Sequence, residues 1–168
     1  MKTLLILRHG KTQPDAPEGD RARELTDRGR RNTKIMGEYI RELTGTPHAI
    51  ITSDATRALQ TAEVLAPAVG FDGALTIEPR IYAGNLPSLL VLVTEIPDEV
   101  DTALLVGHNP GFEELAAALA GIDPDDVRLP TAGLAHLEFD EEQWDRVFEG
   151  TGRLRGIMTP RTITEAAS

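Results

Sequence analysis

The strongest constraint on the fold is an alternation of short apolar runs, typical of buried strands, with longer segments of helical periodicity. This alternation predicts a three-layer αβα sandwich, with a mostly parallel central sheet and helices on both faces. The last two predicted strands flank a polar, acidic stretch, and we expect them to form an antiparallel edge near the C-terminus. The predicted strands are Thr3–Leu7, His48–Thr52, Ala74–Ile77, Ala103–Val106, Ala132–Phe139 and Arg153–Met158.

Capping residues mark the starts of the predicted helices. The side chains of Thr, Ser, Asp and Asn accept hydrogen bonds from the free N–H groups of a first helical turn. Thr26, Asn109, and either Ser53 or Asp54 are therefore expected N-caps. The predicted helices run from Thr26 to Gly45, from Ser53 or Asp54 to Val69, over Pro87–Glu95, and from Asn109-Pro110 to Ala120, with Gly121 closing the last.

The chain of 168 residues has the length of one domain, and residues 1–168 contain no repeat or linker that would divide it. Residues 164–168 are expected to fray.

There is no cysteine, which excludes disulfides and thiolate chemistry and fits a cytoplasmic protein. The apolar run before Arg8 is too short for a secretory signal. The segment Leu86–Ile96 falls well short of the ~20 residues that span a bilayer, so we expect no membrane segment.

The net charge of −10 is spread unevenly along the chain. Residues 1–41 carry ten Lys and Arg against six Asp and Glu, whereas the remainder carries seven against twenty-one. The acidic remainder argues against nucleic-acid binding, because that affinity comes largely from neutralising phosphates. The basic segment is suited to focus an anionic substrate into a cleft. A solvated helix face is the simpler interpretation of four cations there: Arg28, Arg30, Arg31 and Lys34.

Polar residues stand at three junctions where a predicted strand ends. Because parallel strands end at the same edge of a sheet, we expect these junctions to converge. Together they supply two arginines, two histidines and two helix N-termini, whose free N–H groups suit a phosphate. The junctions are Arg8–Thr12, Thr52–Arg57 and Gly107–Gly111.

Each junction also has a structural interpretation when it is taken alone. Arg57 is explained as a surface arginine, His108 as a hydrogen-bonded core histidine and Asn109 as a helix cap. The triplet Arg8-His9-Gly10 is weak by itself, although an imidazole at a strand end is well placed to act as a nucleophile or base. The agreement of all three junctions favours an anion-binding site.

Three motifs, in this order, resemble those of the histidine phosphatase superfamily, which is also called phosphoglycerate mutase-like. They are Leu7–Gly10, Thr52-Ser53 with Arg57–Glu63, and Val106–Pro110. The short chain and two further segments resemble the SixA-type phosphohistidine phosphatases of that superfamily. These segments are Asp20–Gly29 and Gly152–Arg161. The resemblance extends from Leu4 to about Pro160 and implies a phosphatase.

The resemblance also implies roles for the residues at the three junctions. His9 is the implied nucleophile, which attacks phosphorus and is transiently phosphorylated before water hydrolyses the intermediate. Arg8, Arg57 and His108 are implied to hold the phosphoryl oxygens, and arginine offers them a permanently charged, bidentate donor.

Further expectations concern the surroundings of this phosphate site. Thr12 and the backbone at Asn109 are expected to donate additional hydrogen bonds to the substrate. No metal or cofactor is implied, and phosphate- or sulfate-type anions are expected to occupy the site. The sequence leaves open whether Lys11, Arg21 and Arg23 contact substrate or surround the cleft.

The general acid is the uncertain part of the site. Many relatives that act on phosphate esters carry an acid after the third strand, and here that position falls on Pro79. The candidate acids are Glu78, one residue away, and Asp20 or Glu18 on the long loop of residues 11–24 that follows the first strand. Losing acid catalysis costs roughly 10²–10⁴-fold on an alkoxide leaving group. A leaving imidazole, with a pKa of about 6.5, needs less protonation, which favours a phosphohistidine substrate.

The first hypothesis is therefore a phosphohistidine phosphatase that acts on a phosphorylated protein. The main alternative is a small-molecule phosphatase for sugar, nucleotide or polyol phosphates. A non-catalytic phosphate-binding module is a third interpretation, and it is disfavoured because both histidines and both arginines are present. A Rossmann dinucleotide enzyme is weaker still, because the first turn lacks Gly-x-Gly-x-x-Gly.

Overall fold

A six-stranded sheet forms the centre of the computed structural model, which describes residues 1–167. The strands are β1 (Lys2–Arg8), β2 (Ala49–Thr52), β3 (Thr76–Ile77), β4 (Thr102–Gly107), β5 (Leu134–Phe139) and β6 (Gly152–Met158). Their order is β3-β2-β4-β1-β5-β6. The first four strands in that order are parallel, and β5 and β6 pair antiparallel at one edge. The mixed sheet predicted from the sequence is confirmed.

Five helices cover the two faces of the sheet. They are α1 (Asp27–Thr44), α2 (Thr56–Val69), α3 (Leu86–Thr94), α4 (Gly111–Ala120) and α5 (Pro160–Ala167). The apolar residues of α1, α2 and α5 pack on one face, and those of α3 and α4 pack on the other. In β1, Leu4 and Ile6 join one core while Leu5 and Leu7 join the other. A strand buried on both faces needs an apolar residue at every position, which explains its unbroken apolar run.

The helix starts agree only in part with the expected caps. Thr26 caps α1 as predicted, because its Oγ1 accepts a hydrogen bond from Gly29 N at 3.0 Å. The cap predicted for α2 at Ser53 or Asp54 is wrong. The N-cap is Ala55, which has no capping side chain, and Ser53 Oγ accepts from Ala55 N at 3.1 Å while Asp54 pairs with Arg21. Ser53 therefore bonds to the N–H of the N-cap residue, while Asp54 is held by a partner on the long loop.

The cap predicted at Asn109 is also wrong. The N-cap of α4 is Pro110, and Asn109 Nδ2 instead donates a hydrogen bond to Leu129 O at 2.8 Å. Similarly, α3 begins one residue before the expected start, because Asn85 Oδ1 accepts from Ser88 N at 3.0 Å and caps it. Gly121 closes α4 in the left-handed conformation, as predicted.

The C-terminal tail is helical through Ala167 instead of frayed. Thr159 Oγ1 accepts a hydrogen bond from Thr162 N at 3.1 Å at the start of α5, and Ile163 packs against the core beneath α1. A side-chain cap and one partly buried apolar residue thus stabilise a segment whose terminal position predicted fraying. Ser168, the last residue of the predicted frayed tail, lies outside the described residues. No helix within residues 1–167 combines the length and apolarity needed to cross a membrane.

The parallel strands bring the three junctions together as expected. Strands β2, β4 and β1 are neighbours, so their carboxyl ends lie side by side at one edge of the sheet. Backbone hydrogen bonds continue past the strand ends, from His9 N to Gly107 O and from Ser53 N to Val106 O, both at 3.0 Å. The chain therefore leaves β1, β2 and β4 in register, and the side chains that follow them share one cleft.

Candidate active site

The first junction places the His9 ring at the base of this cleft, only 5% exposed. Its Nδ1 lies 2.8 Å from Gly10 O. A carbonyl oxygen only accepts hydrogen bonds, so Nδ1 carries the hydrogen and Nε2 of the neutral ring keeps its lone pair. The geometry therefore leaves Nε2 as the ring nitrogen with a free lone pair.

Glycine is required at position 10 to hold the His9 ring in this way. A Cβ on Gly10 would lie 2.8 Å from Thr33 Oγ1 and 2.9 Å from Gly29 O, closer than atoms in contact normally approach. Gly10 N also donates a hydrogen bond to Thr61 Oγ1 of α2 at 3.1 Å. The backbone beside His9 is thus clamped between α1 and α2.

The charge state of His9 follows from its burial. Desolvation lowers its pKa to about 4, with a smaller opposing contribution from the hydrogen bond to Gly10. The positive charges of Arg57, Arg8 and Arg23 lower the pKa of His9 further. The ring is consequently neutral near pH 7, the state in which a histidine nucleophile is active.

Arg8 and Arg57 flank His9, and each bonds to the protein through its terminal nitrogens while its Nε atom lacks a partner in the described chain. Arg8 Nη1 donates to Leu129 O at 3.1 Å, whereas Arg57 donates through Nη1 to Asp20 O at 2.8 Å and through Nη2 to Asp20 Oδ2 at 3.2 Å. The Nε atoms of Arg8 and Arg57 are buried and have no hydrogen-bond partner within residues 1–167. Buried charged donors without partners are costly, and an anion in the cleft would satisfy them.

The third junction supplies His108, whose ring centroid is 5.3 Å from that of His9. Its Nε2 shares a hydrogen bond with Ser53 Oγ at 2.8 Å, while its Nδ1 is buried without a partner in the described chain. Desolvation, together with the charges of His9 and Arg57, lowers the pKa of His108 to about 3. A bound phosphate dianion would oppose these positive charges and favour the protonated ring.

The long loop between β1 and α1 adds Asp20 to the cleft. Its Oδ2 accepts hydrogen bonds from Arg57 Nη2 and from Tyr82 Oη, the latter at 2.7 Å. Its Oδ1 forms an ion pair with Arg23 Nε at 3.1 Å. The Tyr82 hydrogen bond is the largest of the contributions that lower the pKa of Asp20, and Arg57 and Arg23 add to it. Asp20 is therefore a candidate acid that contacts residues of the cleft.

Glu78 points elsewhere. Its carboxylate accepts hydrogen bonds from Arg80 N at 3.0 Å and from Arg80 Nη2 at 2.8 Å, which lower its pKa. It lines a separate cavity of about 350 Å³ that is bounded by side chains such as Ile51 and Phe71. None of His9, Arg57 and His108 lines that cavity. The structure therefore does not bring Glu78 to the anion cleft, because the adjacent Arg80 holds it in the turn after β3.

The side chains of Thr12 and Asn109 contact other parts of the protein, and the expected hydrogen bonds from the Thr12 hydroxyl and the Asn109 backbone to substrate stay predictions. Thr12 Oγ1 accepts a hydrogen bond from Arg23 Nη1 at 3.1 Å, and Asn109 Nδ2 donates to the same Leu129 carbonyl that binds Arg8. Both residues therefore position arginines or the loop that contacts them. Lys11 and Arg21 lie at the exposed rim, and Arg21 packs 4.2 Å over the Tyr82 ring.

Ser53 and Tyr82 are contacts of the site that the sequence did not single out. Ser53 lies inside the second junction, where a capping role explained it, and its contact with His108 spans 55 positions. Tyr82 follows a short turn 62 positions from Asp20. The signals in the sequence were the place of Ser53 inside one junction motif and the place of Tyr82 between two of them.

Together these contacts define a basic cleft for a small anion. Within residues 1–167, no cluster of three or more His, Cys, Asp or Glu residues is arranged to hold a metal ion. The cleft instead presents the unpartnered nitrogens of Arg8, Arg57 and His108 around the free Nε2 of His9. This arrangement is able to bind a tetrahedral oxyanion beside the lone pair of His9 Nε2.

Comparisons with known proteins identify the family. The model of the histidine phosphatase superfamily (branch 1) matches residues 4–82. A protein of Mycobacterium tuberculosis strain H37Rv whose function is uncharacterised is 30% identical over 163 residues, covering 92% of this chain and 100% of the relative. The chain belongs to the histidine phosphatase superfamily and is a phosphatase.

Solved structures share the fold over nearly the whole chain. The protein histidine phosphatase SixA complexed with tungstate superposes with a TM-score of 0.84 at 23% identity, covering 96% of this chain and 99% of that one. A candidate phosphohistidine phosphatase SixA of Agrobacterium tumefaciens gives 0.79 at 27% identity, covering 95% and 98%. The αβα architecture is therefore that of the SixA structures.

Proposed function

We propose that this protein removes the phosphoryl group from phosphohistidine on a protein, through a phosphohistidine intermediate on His9. One observation carries the proposal: three buried nitrogens without partners, Arg8 Nε, Arg57 Nε and His108 Nδ1, belong to side chains that surround a neutral histidine. A phosphoryl group supplies oxygens for these donors and an electrophile for the lone pair of His9. The tungstate in the SixA structure is an oxyanion of related shape.

The reaction proceeds in two displacements. The Nε2 lone pair of His9 forms a bond to phosphorus while the bond from phosphorus to the substrate's imidazole nitrogen breaks, and that nitrogen takes up a proton. Water then attacks the phosphorus, the bond to His9 breaks, and inorganic phosphate leaves. Arg8, Arg57 and His108 stabilise the charge on the equatorial oxygens in both steps.

The state of Asp20 supports a substrate with a good leaving group. Its pKa is lowered, so the carboxyl group is ionised near neutral pH and is a poor proton donor. Glu78 is held by Arg80 outside the cleft. An imidazole leaving group, with a pKa of about 6.5, departs with little general acid catalysis, whereas an alkoxide requires a general acid to protonate it.

The open rim supports a protein substrate. Lys11, Asp20 and Arg21 at the entrance are exposed, and the segment between β1 and α1 contains no helix longer than the single turn Asp20–Ala22. The absence of a large helical insertion in that segment favours access by a phosphorylated side chain on a protein surface.

The alternative is a small-molecule phosphomonoesterase in which Asp20 acts as the general acid. Its Oδ2 already shares Arg57 and Tyr82 with the site, so a bound dianion would compete for Arg57 and raise the pKa of Asp20. Ester turnover that depends on Asp20 would favour this second function.

The deciding experiment compares phosphate release from a histidine-phosphorylated protein with release from a panel of small phosphate esters. The wild type is expected to prefer phosphohistidine, and His9→Ala to release phosphate from neither. His48→Ala, which removes a histidine outside the cleft, serves as the matched control. A strong preference for one ester would establish the alternative. Phosphate binding without His9-dependent release would indicate a non-catalytic module.

A further inference from the structure

A second concave surface lies beside the catalytic cleft. It is a groove of about 630 Å³ between the first turns of α1 and α5 and the loop before β5. Arg28 and Asn32 form the α1 wall, Pro130 and Thr131 form the floor, and Arg161 stands on the α5 wall. None of the side chains that surround His9 lines this groove.

The walls of the groove are continuous with the backbone that holds His9. Thr131 precedes Ala132, whose N–H donates to His9 O at 2.8 Å. Arg28 precedes Gly29, which packs against the Lys11 backbone so closely that a Cβ on Gly29 would overlap Lys11 O. The groove therefore adjoins two backbone segments that contact the backbone on either side of His9.

The corner of the molecule formed by the groove and the first turns of α1 carries positive charge, opposite in sign to the net charge of the molecule. Arg28 and Arg31, one turn apart on α1, are exposed and form no ion pair within residues 1–167. Arg161 is paired with Glu165 at 2.9 Å, so the net positive charge comes from α1. The chain as a whole carries −10. An acidic partner is thus repelled by most of the surface and attracted to this corner.

We infer that the groove beside His9 is a docking surface for an acidic segment of the phosphoprotein substrate, with Arg28 as its main charge contact. This inference rests on the proposed function and specifies its substrate further. Docking there orients the phosphohistidine toward His9 and selects proteins with acidic side chains around the phosphorylated position.

The test uses two synthetic peptides of equal length, each with one phosphohistidine, flanked by Asp and Glu in one and by Ser and Gln in the other. Phosphoramidate is the small substrate that cannot reach the groove. Arg28→Glu is compared with Arg30→Glu, which reverses the same charge two positions along α1, about 160° around the helix. Both residues are exposed in α1, where an added carboxylate near the N-terminus is tolerated.

The wild type is expected to prefer the acidic peptide, with a preference that falls as salt rises. Arg28→Glu is expected to lower kcat/KM for the acidic peptide about tenfold, mainly through KM, and to leave phosphoramidate turnover unchanged. Arg30→Glu is expected to change neither kcat/KM for the acidic peptide nor the turnover of phosphoramidate.

Three results would overturn the inference, and they differ in what they imply. Equal turnover of the two peptides by the wild type, or equal effects of Arg28→Glu and Arg30→Glu, would exclude docking and leave the proposed function intact. His9-dependent turnover of phosphoramidate with no turnover of either peptide would instead remove the protein substrate, and the docking surface with it.

Discussion

The carboxylate of Asp20 occupies one side of the Arg57 guanidinium, with Oδ2 at 3.2 Å from Nη2, while the Asp20 carbonyl oxygen lies 2.8 Å from Nη1. A side chain from the long loop therefore supplies an anionic partner to an arginine proposed to bind the phosphoryl group. The contact lowers the cost of burying Arg57, and it must weaken or rearrange when a dianion enters.

Removing the charge of Asp20 is expected to strengthen anion binding. Asp20→Asn keeps the shape of the side chain but no longer repels phosphate, so the inhibition constant of inorganic phosphate should fall about two- to fivefold, as for a partly exposed ion pair. Asp54→Asn, which removes an equal charge paired with Arg21, is the control and should have a smaller effect. Weaker phosphate binding by Asp20→Asn would mean that Asp20 mainly orients Arg57.

The hydrogen bond between Ser53 Oγ and His108 Nε2 should contribute to catalysis. Ser53→Ala leaves Nε2 without its partner, and we expect kcat to fall about tenfold, KM to change little and stability to fall by about 1–2 kcal/mol. Thr52→Val removes a neighbouring buried hydroxyl that does not contact His108. Steady-state kinetics over a pH range distinguish the two variants, because only Ser53→Ala should change the pH dependence of kcat. Equal losses in the two variants would indicate a general packing effect.

Acidification should destabilise the protein through the two cleft histidines. Their folded-state pKa values, about 4 for His9 and about 3 for His108, lie below the ordinary value of 6.5. The unfolded chain therefore binds more protons between pH 6.5 and 4, and the free energy of unfolding should fall by about 1–3 kcal/mol as pH falls through that window. Urea unfolding at pH 7.5, 5.5 and 4.5 measures this slope. A double variant, His9→Gln and His108→Gln, should flatten it, and an unchanged slope would contradict the assignment.

The close packing of Gly10 predicts a large effect from one added methyl group. In Gly10→Ala the new Cβ meets Thr33 Oγ1 and the backbone oxygen of Gly29, so the chain beside His9 must shift. We expect kcat/KM to fall by about 100-fold or more, because a displaced nucleophile loses its alignment with phosphorus. Gly156→Ala on β6, whose Cβ would meet nothing within 4 Å, should leave activity and Tm nearly unchanged. Near-wild-type activity of Gly10→Ala would show that the turn adapts.

The sequence by itself determined the αβα layering and the edge of the sheet where the site lies. The unbroken apolar run of β1 required burial on both faces, and parallel strands necessarily end together, so Arg8, His9 and His108 could be placed in one cleft before any contact was known. Local patterns sufficed because hydrophobic periodicity and strand direction are properties of short segments.

Only the tertiary structure decided which polar groups meet within that cleft. Periodicity is absent from the long loop, so nothing local indicated that Asp20 reaches Arg57, 37 positions away, or that Glu78 is held by Arg80. Likewise, Ser53 and Asn109 have the residue types of helix caps, but they bond to His108 and Leu129 across the fold. A buried polar side chain forms its hydrogen bond with a partner that lies within reach in the folded protein. Which partner that is depends on the packing of segments far apart in the chain.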